Sequence, residues 1–377
     1  MFRWTYLSLL CFWFMGCSQN TVPQTDTRTT DRPLNVILLI GDGMGVTQVS
    51  SLFFFGVEEP QFLRFPYTGL SRTSSASHKI TDSAAGAVAF ASGIKTYNGA
   101  IGLDTNQQAV PTIIERIAPK GKKSGLVATS SITHATPAAF YAHAKSRNEH
   151  EKIAMDLVNS RVDFFAGGGI RYFARRKDGQ NLIEALQKRS FSVDTLTHDA
   201  WQRPQSLDGK QRYAYLVGEK ELPPKPEGRG DFLPEATAAA LDYLSQHKEG
   251  FFLMVEGSQI DWGGHAADVN YVTSEMIDFD QTLRVALDFA EKDQNTLVIV
   301  TADHETGGFS LCPPLIRKQW DYNIIKGGFY EGANQVPSSA HTATMVPVFA
   351  YGPSAHLFTG VYHNNEIFHK ILKATGW

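Results

Sequence analysis

Cysteine is scarce: Cys11, Cys17 and Cys312 are the only three in 377 residues. Thiols so few and so unevenly placed exclude a disulfide framework and a cysteine-only zinc site, so any metal must be held by histidine and carboxylate. Net charge is also nearly absent. The 35 Lys+Arg against 38 Asp+Glu leave a formal charge of −3, which gives no electrostatic ground for a nucleic-acid partner. No internal repeat or low-complexity segment is visible, and the Gly-x-Ser-x-Gly elbow of serine hydrolases is missing. What remains is an ordinary globular composition, 42% apolar and 19% charged, in a chain long enough for one large α/β domain or two smaller ones.

The N-terminal apolar run WTYLSLLCFWFMG, residues 4–16, is too short to cross a bilayer and reads as a signal-peptide core. It ends in Phe14-Met15-Gly16-Cys17, which resembles a bacterial lipobox. Residues 1–16 are therefore expected to be a signal peptide, Cys17 a lipid attachment point, 17–33 a polar tether and 34–377 a single domain. A lipid on Cys17 would tie an exported, periplasmic or cell-surface domain to a membrane without spanning it. Cys312, beside Leu311 and two prolines, is expected to be a packed small hydrophobe.

Short apolar, β-branched runs recur: NVILLIG from Asn35, SGLVATS from Ser124, VDFFAGG from Val162, FFLMVEG from Phe251, NTLVIVTAD from Asn295 and VPVFAYG from Val346. Between them lie helical patterns over 136–147, 233–246 and 274–292. Near-continuous apolar strands alternating with helices predict an α/β fold, a mostly parallel sheet covered on both faces. The stretches 200–233 and 312–340 read as surface insertions.

Three of these strands run into acidic residues: Asp42, Glu256, and Asp303 followed by His304. Ligands bind at the carboxyl ends of strands in open parallel sheets, so the recurrence predicts one shared site. GDGMG around Asp42 fails as a dinucleotide fingerprint, because Val46 occupies the third glycine position. Asp261 and His265 are four residues apart, which on a helical turn puts both on one face for a single cation. His341 is the candidate third ligand. The other histidines outside this set and His134, such as His78 and His356, are left without a role. Ser83 precedes four small residues, so a helix beginning there can present its amides to an anion. Its hydroxyl becomes a nucleophile only with a base or a metal beside it. Asp82 reads as the cap of that helix.

GDGMG, TDSAAGAVAFASGIKTYNGAIGLD, HATPAAFYAHAKSR, VEGSQIDWGGHAAD, VTADHETGG and SAHT followed by AYGP together resemble the alkaline phosphatase family, in its order, from about residue 35 to 353. The resemblance implies hydrolysis of small phosphate monoesters through a phosphoserine at Ser83, with two zinc ions and one magnesium. By the same resemblance Asp261, His265 and His341 would hold one zinc, and Asp42, Asp303, His304 and Ser83 the other. Asp42, Thr136 and Glu256 would surround the magnesium, and Arg147, in a helix begun by Thr136, would clamp phosphate. A homodimer is implied in the same way. Two ions roughly 4 Å apart suit an in-line displacement, a planar guanidinium fits phosphate bidentately, and hard oxygen donors suit magnesium.

His134 and Trp262 depart from the commoner bacterial pattern of aspartate and lysine at those positions. Without that carboxylate and that ammonium, magnesium should bind more weakly and phosphate should leave more readily. Two rivals stand beside this reading. A phosphodiesterase of the same superfamily would prefer a diester over a monoester substrate, and a non-catalytic zinc- or phosphate-binding lipoprotein would carry a damaged ligand set.

Overall fold

The computed structural model describes residue 1 and residues 35–316, 319–320, 323–329 and 339–377. The expected signal segment, Cys17 and the tether lie outside the described residues, apart from Met1. Everything below belongs to the compact unit Arg32–Trp377.

Ten strands form the central sheet: β1 (Asn35–Gly41), β2 (Tyr67–Arg72), β3 (Lys123–Ser131), β4 (Phe164–Gly168), β5 (Phe191–Leu196), β6 (Arg212–Val217), β7 (Phe251–Gly257), β8 (Thr296–Thr301), β9 (Val346–Tyr351) and β10 (Gly360–His363). Their spatial order is β10-β2-β9-β8-β1-β7-β3-β4-β6-β5. All pairings are parallel except those of β9 with β2 and β8. The sheet is thus mostly parallel, as the apolar runs predict.

Alternation along β1 shows how the two faces are covered. Val36, Leu38 and Ile40 pack into one hydrophobic cluster and Ile37 and Leu39 into the other, all fully buried. Each such side chain contributes about 1.5–3 kcal/mol of transfer free energy. The first face is covered by helix α1 (Ser83–Ser92) and by Glu366–Thr375. The second is covered by α2 (Phe232–Leu244) and the long α4 (Val269–Asp293), which follows the short α3 (Gln259–His265).

Three expectations are corrected. The stretch 200–233 is not wholly an insertion, since Arg212–Val217 is β6 of the main sheet, with Tyr213 to Val217 buried. The helix over 136–147 stops after one turn, Ala135–Ala138. Beyond it the chain is drawn into an antiparallel bridge, Ala144 to Ile101, and the Arg147 amide donates to the Gly99 carbonyl. Ala139, Phe140, Ala142 and Ala144 are all buried, so this segment has no solvent face of the kind a surface helix needs. Cys312 is exposed rather than packed. It ends the small hairpin Phe309–Cys312 with Lys326–Phe329, where Phe309 takes the buried position.

Candidate active site

Four adjacent central strands, β8, β1, β7 and β3, deliver the predicted residues to one edge. Register does much of the placement: Ile40 pairs with Thr301 across β1 and β8, and with Glu256 across β1 and β7. Two residues further on, Asp42 and Asp303 therefore emerge side by side. Gly43 makes the exit possible. Its φ is +75°, and a Cβ there would lie 2.7 Å from the Asp261 Cα, so only glycine lets the β1 exit pass so close to α3.

Ser83 is the first residue of α1 and is 2% exposed. Asp82 caps the helix, its Oδ1 accepting from the Ala85 amide at 3.0 Å. Gly86 brings the helix against the β8 exit, where a Cβ would stand 2.9 Å from the Asp303 Cβ. Ser83 Oγ thereby comes to 3.3 Å from His304 Nε2. The same nitrogen is 3.3 Å from Asp303 Oδ2 and 3.6 Å from Asp42 Oδ1. Asp42, Asp303 and His304 offer ligand atoms within 4.8 Å of one another, and all three are buried.

A second cluster adjoins it. α3 does place Asp261 and His265 on one face, with His265 Nε2 3.3 Å from Asp261 Oδ2. His341 Nε2 is 3.2 Å from His265 Nε2 and 3.6 Å from Asp261 Oδ1. The His341 ring also stacks on His304 at 3.5 Å, and Asp261, His304 and His341 form a compact ligand group of their own. A third group joins Asp42, Glu256 and His134 within the same 4.8 Å limit, with Thr136 fully buried. His134 was expected only as a substitute beside this group, yet the structure makes its imidazole a member.

Arg147 approaches from the 99–102 side. Its Nη1 is 3.2 Å from Asp82 Oδ2 and its Nη2 3.3 Å from His134 Nε2. The two unusual positions touch each other, His134 packing edge-on against Trp262 with centroids 5.9 Å apart.

The electrostatics of this edge are unbalanced. Asp42, Glu256, Asp261 and Asp303 are each at most 5% exposed. Both oxygens of Asp42, Oε1 of Glu256 and Oδ2 of Asp303 are buried with no hydrogen-bond partner. Burial, together with Asp303, Asp261 and Glu256, raises the Asp42 carboxyl far above its usual range. Burial pushes Glu256 to about 7 despite the bond from Ser258. Burial also opposes ionisation of Asp261, but the His265 bond and the neighbouring imidazoles of His304 and His341 outweigh it and hold that carboxyl low. Burial, then Arg147, pushes His134 down to about 3, so its imidazole is neutral. Unpaired buried carboxylates cost several kcal/mol each. Cations are the partners such a set fits: His with carboxylate for zinc, carboxylate with hydroxyl for magnesium.

Several supporting residues escaped the sequence reading. Asp82 does more than cap, because its Oδ2 also accepts from the Gly99 amide and from Arg147. Thr306 donates to Asp261 Oδ1 at 2.5 Å and lies 3.2 Å from His304 Nδ1, turning Nε2 toward Ser83. Ser258 and Ser130 both donate to Glu256 Oε2. Glu305 accepts from Gln48, Phe309 and Thr342, which fastens the His341 segment to the β8 exit. Closeness in sequence to the ligands was the available signal for Thr306, Ser258 and Glu305. None existed for Ser130.

Known proteins share this sequence and this fold. The family model described as alkaline phosphatase matches residues 34–322 and 318–377. Alkaline phosphatase 3 of Bacillus subtilis is 34% identical, covering 96% of this chain and 94% of its own. Alkaline phosphatase of Escherichia coli is 32% identical over 92% and 87%. The alkaline phosphatase of the Antarctic bacterium TAB5 superposes with a TM-score of 0.85 at 47% identity, covering 92% of this chain and 99% of its own. A variant of that enzyme, 46% identical to this chain, has magnesium bound in its M3 site. With buried carboxylates and histidines gathered at one four-strand edge and a nearly full-length match, the chain belongs to the alkaline phosphatase family, enzymes that hydrolyse phosphate monoesters.

Proposed function

We propose that this chain hydrolyses phosphate monoesters through a phosphoserine on Ser83. The observation that carries the reading is the placement of the Ser83 hydroxyl 3.3 Å from His304 Nε2, among buried carboxylate oxygens that no protein group satisfies. Asp261, His265 and His341 would hold one zinc, and Asp42, Asp303, His304 and Ser83 a second. Asp42, Thr136 and Glu256 would hold a further divalent cation of the magnesium kind, like that described in the TAB5 variant. Such ions lower the pKa of a bound hydroxyl or water and offset the charge of a phosphate dianion.

The chain's own residues supply the rest. Arg147 offers two N–H groups to two phosphate oxygens, and Asp82 fixes the angle of that fork. Ser83 Oγ gives up its proton to solvent water and bonds to phosphorus in line with the ester oxygen. The bond from phosphorus to that oxygen breaks, and the alcohol leaves after taking a proton from water. A water then attacks the phosphoserine from the vacated side, releasing inorganic phosphate and restoring the hydroxyl. His134 and Trp262 pack against each other beside Arg147.

The test is Ser83→Ala with zinc content measured alongside activity. Loss of hydrolysis with zinc retained is expected; retained hydrolysis would overturn the phosphoserine route. A preference for a diester over a monoester would favour the phosphodiesterase reading instead.

Export, lipidation at Cys17 and homodimer formation belong to the same proposal. Their support is the apolar segment ending at Gly16-Cys17 and, for the dimer, family resemblance. Cys17→Ala should move the protein from the membrane fraction to the soluble one.

A further inference from the structure

We propose that the His134 imidazole is claimed by two mutually exclusive partners, the third cation and Arg147, so that occupancy of that cation site and the freedom of Arg147 to grip phosphate are linked. The inference rests on the cation sites proposed above and goes beyond them. One ring nitrogen of His134 lies within 4.8 Å of carboxylate oxygens of both Asp42 and Glu256. Nδ1 is buried and has no hydrogen-bond partner, whereas Nε2 is 3.3 Å from Arg147 Nη2. A guanidinium can only donate, so that contact requires a lone pair on Nε2.

A neutral imidazole has one lone pair and one N–H. If Nδ1 binds a cation, the proton must sit on Nε2, where it faces the N–H of Arg147, and two donors cannot bond to each other. If the cation takes Nε2 instead, it displaces Arg147 directly. Either geometry gives the same exclusion. With the site empty, Arg147 is held jointly by His134 and by Asp82 Oδ2 at 3.2 Å. With it filled, Arg147 keeps Asp82 alone, and one face of its fork is released toward the Ser83 side. Reciprocity then requires that phosphate, by drawing Arg147 away, tightens the third cation by the same factor. An aspartate at this position would not act this way, because its two oxygens can serve a cation and a guanidinium together.

The experiment is a double-substitution cycle read by metal content. Enzyme carrying its zinc is dialysed to equilibrium against graded zinc without phosphate, and the third equivalent is measured by elemental analysis. The forms compared are the unsubstituted chain, Arg147→Ala, His134→Phe and both together, with His134→Ala as a second replacement should the phenyl ring disturb folding. Removing Arg147 should tighten the third equivalent at least about fivefold more when His134 is present than when it is replaced. Added inorganic phosphate should tighten it in the unsubstituted chain but lose that excess effect in His134→Phe. Equal effects of Arg147→Ala in both backgrounds, with three equivalents bound, would overturn the linkage while leaving the cation sites intact. Absence of any third equivalent would overturn the site and the linkage together.

Discussion

Four side chains at the site carry testable contributions. Ser83→Ala would remove the proposed nucleophile without disturbing the cap made by Asp82, so kcat should fall by about a thousandfold or more with an unchanged thermal midpoint. Arg147→Ala would delete the two proposed charge-assisted bonds to phosphate, about 1.5–3 kcal/mol each, which predicts a loss of roughly 100-fold or more in kcat/KM. Replacing His134 with Asp and Trp262 with Lys should lower turnover and tighten inhibition by phosphate; unchanged product inhibition would contradict that expectation. At this scale the sequence was most legible. Asp42, Glu256, Asp303 and His304 follow or end recognisable apolar strands, and Asp261 and His265 sit at helical spacing on α3. Asp82 as a brace for Arg147 was not legible, because the two are 65 positions apart and meet only through the turn at Gly99.

Secondary elements hold these groups at fixed separations, and their close approaches are testable. A methyl at Gly86 would press on the Asp303 Cβ at 2.9 Å, so Gly86→Ala should push α1 off the β8 exit. The expected result is a stability loss of about 1–3 kcal/mol with a larger loss of activity than of fold, read by thermal unfolding beside kcat. On α4, burial pushes Asp280 up to about 6, although its Oδ1 accepts from the Gln61 amide at 2.8 Å. Its folded pKa is above the unfolded one, so the stability it contributes is complete below about 4 and is lost as pH rises through 6. Asp280→Asn keeps an acceptor for Gln61 and should raise the thermal midpoint at pH 7.5 while leaving it unchanged at pH 4. Elements with strong periodicity, α2 and α4, were readable from sequence. The single turn at Ala135–Ala138 was not, because its continuation buries Phe140, Ala142 and Ala144 and yields to the bridge with Ile101. β6 was masked by the polar residues and prolines around it.

Across the whole molecule, the concentration of buried carboxylate at one sheet edge ties folding to metal. Chelation should lower the thermal midpoint, since Asp42, Glu256, Asp261 and Asp303 would then repel one another unscreened. With Asp42 and Glu256 both raised, and Glu256 near 7, the chelated protein should bind protons that its unfolded form has already lost. Its stability is therefore expected to be higher at pH 6 than at pH 8. A chelated protein no less stable at pH 8 would contradict this account. The mostly parallel architecture was legible from the apolar runs, but the reversal of β9 was not, because a buried strand looks the same in either direction.

That reversal has a reason and a consequence. β8 ends at the ligand edge, the excursion from 302 to 345 returns there carrying His341, and the next strand can only run back. The excursion thus begins and ends at nearly the same place, like a bight of rope tied off at one cleat. Its length can change without altering strand order. A chain built this way can reshape the rim of its pocket while inheriting the chemistry beneath it intact.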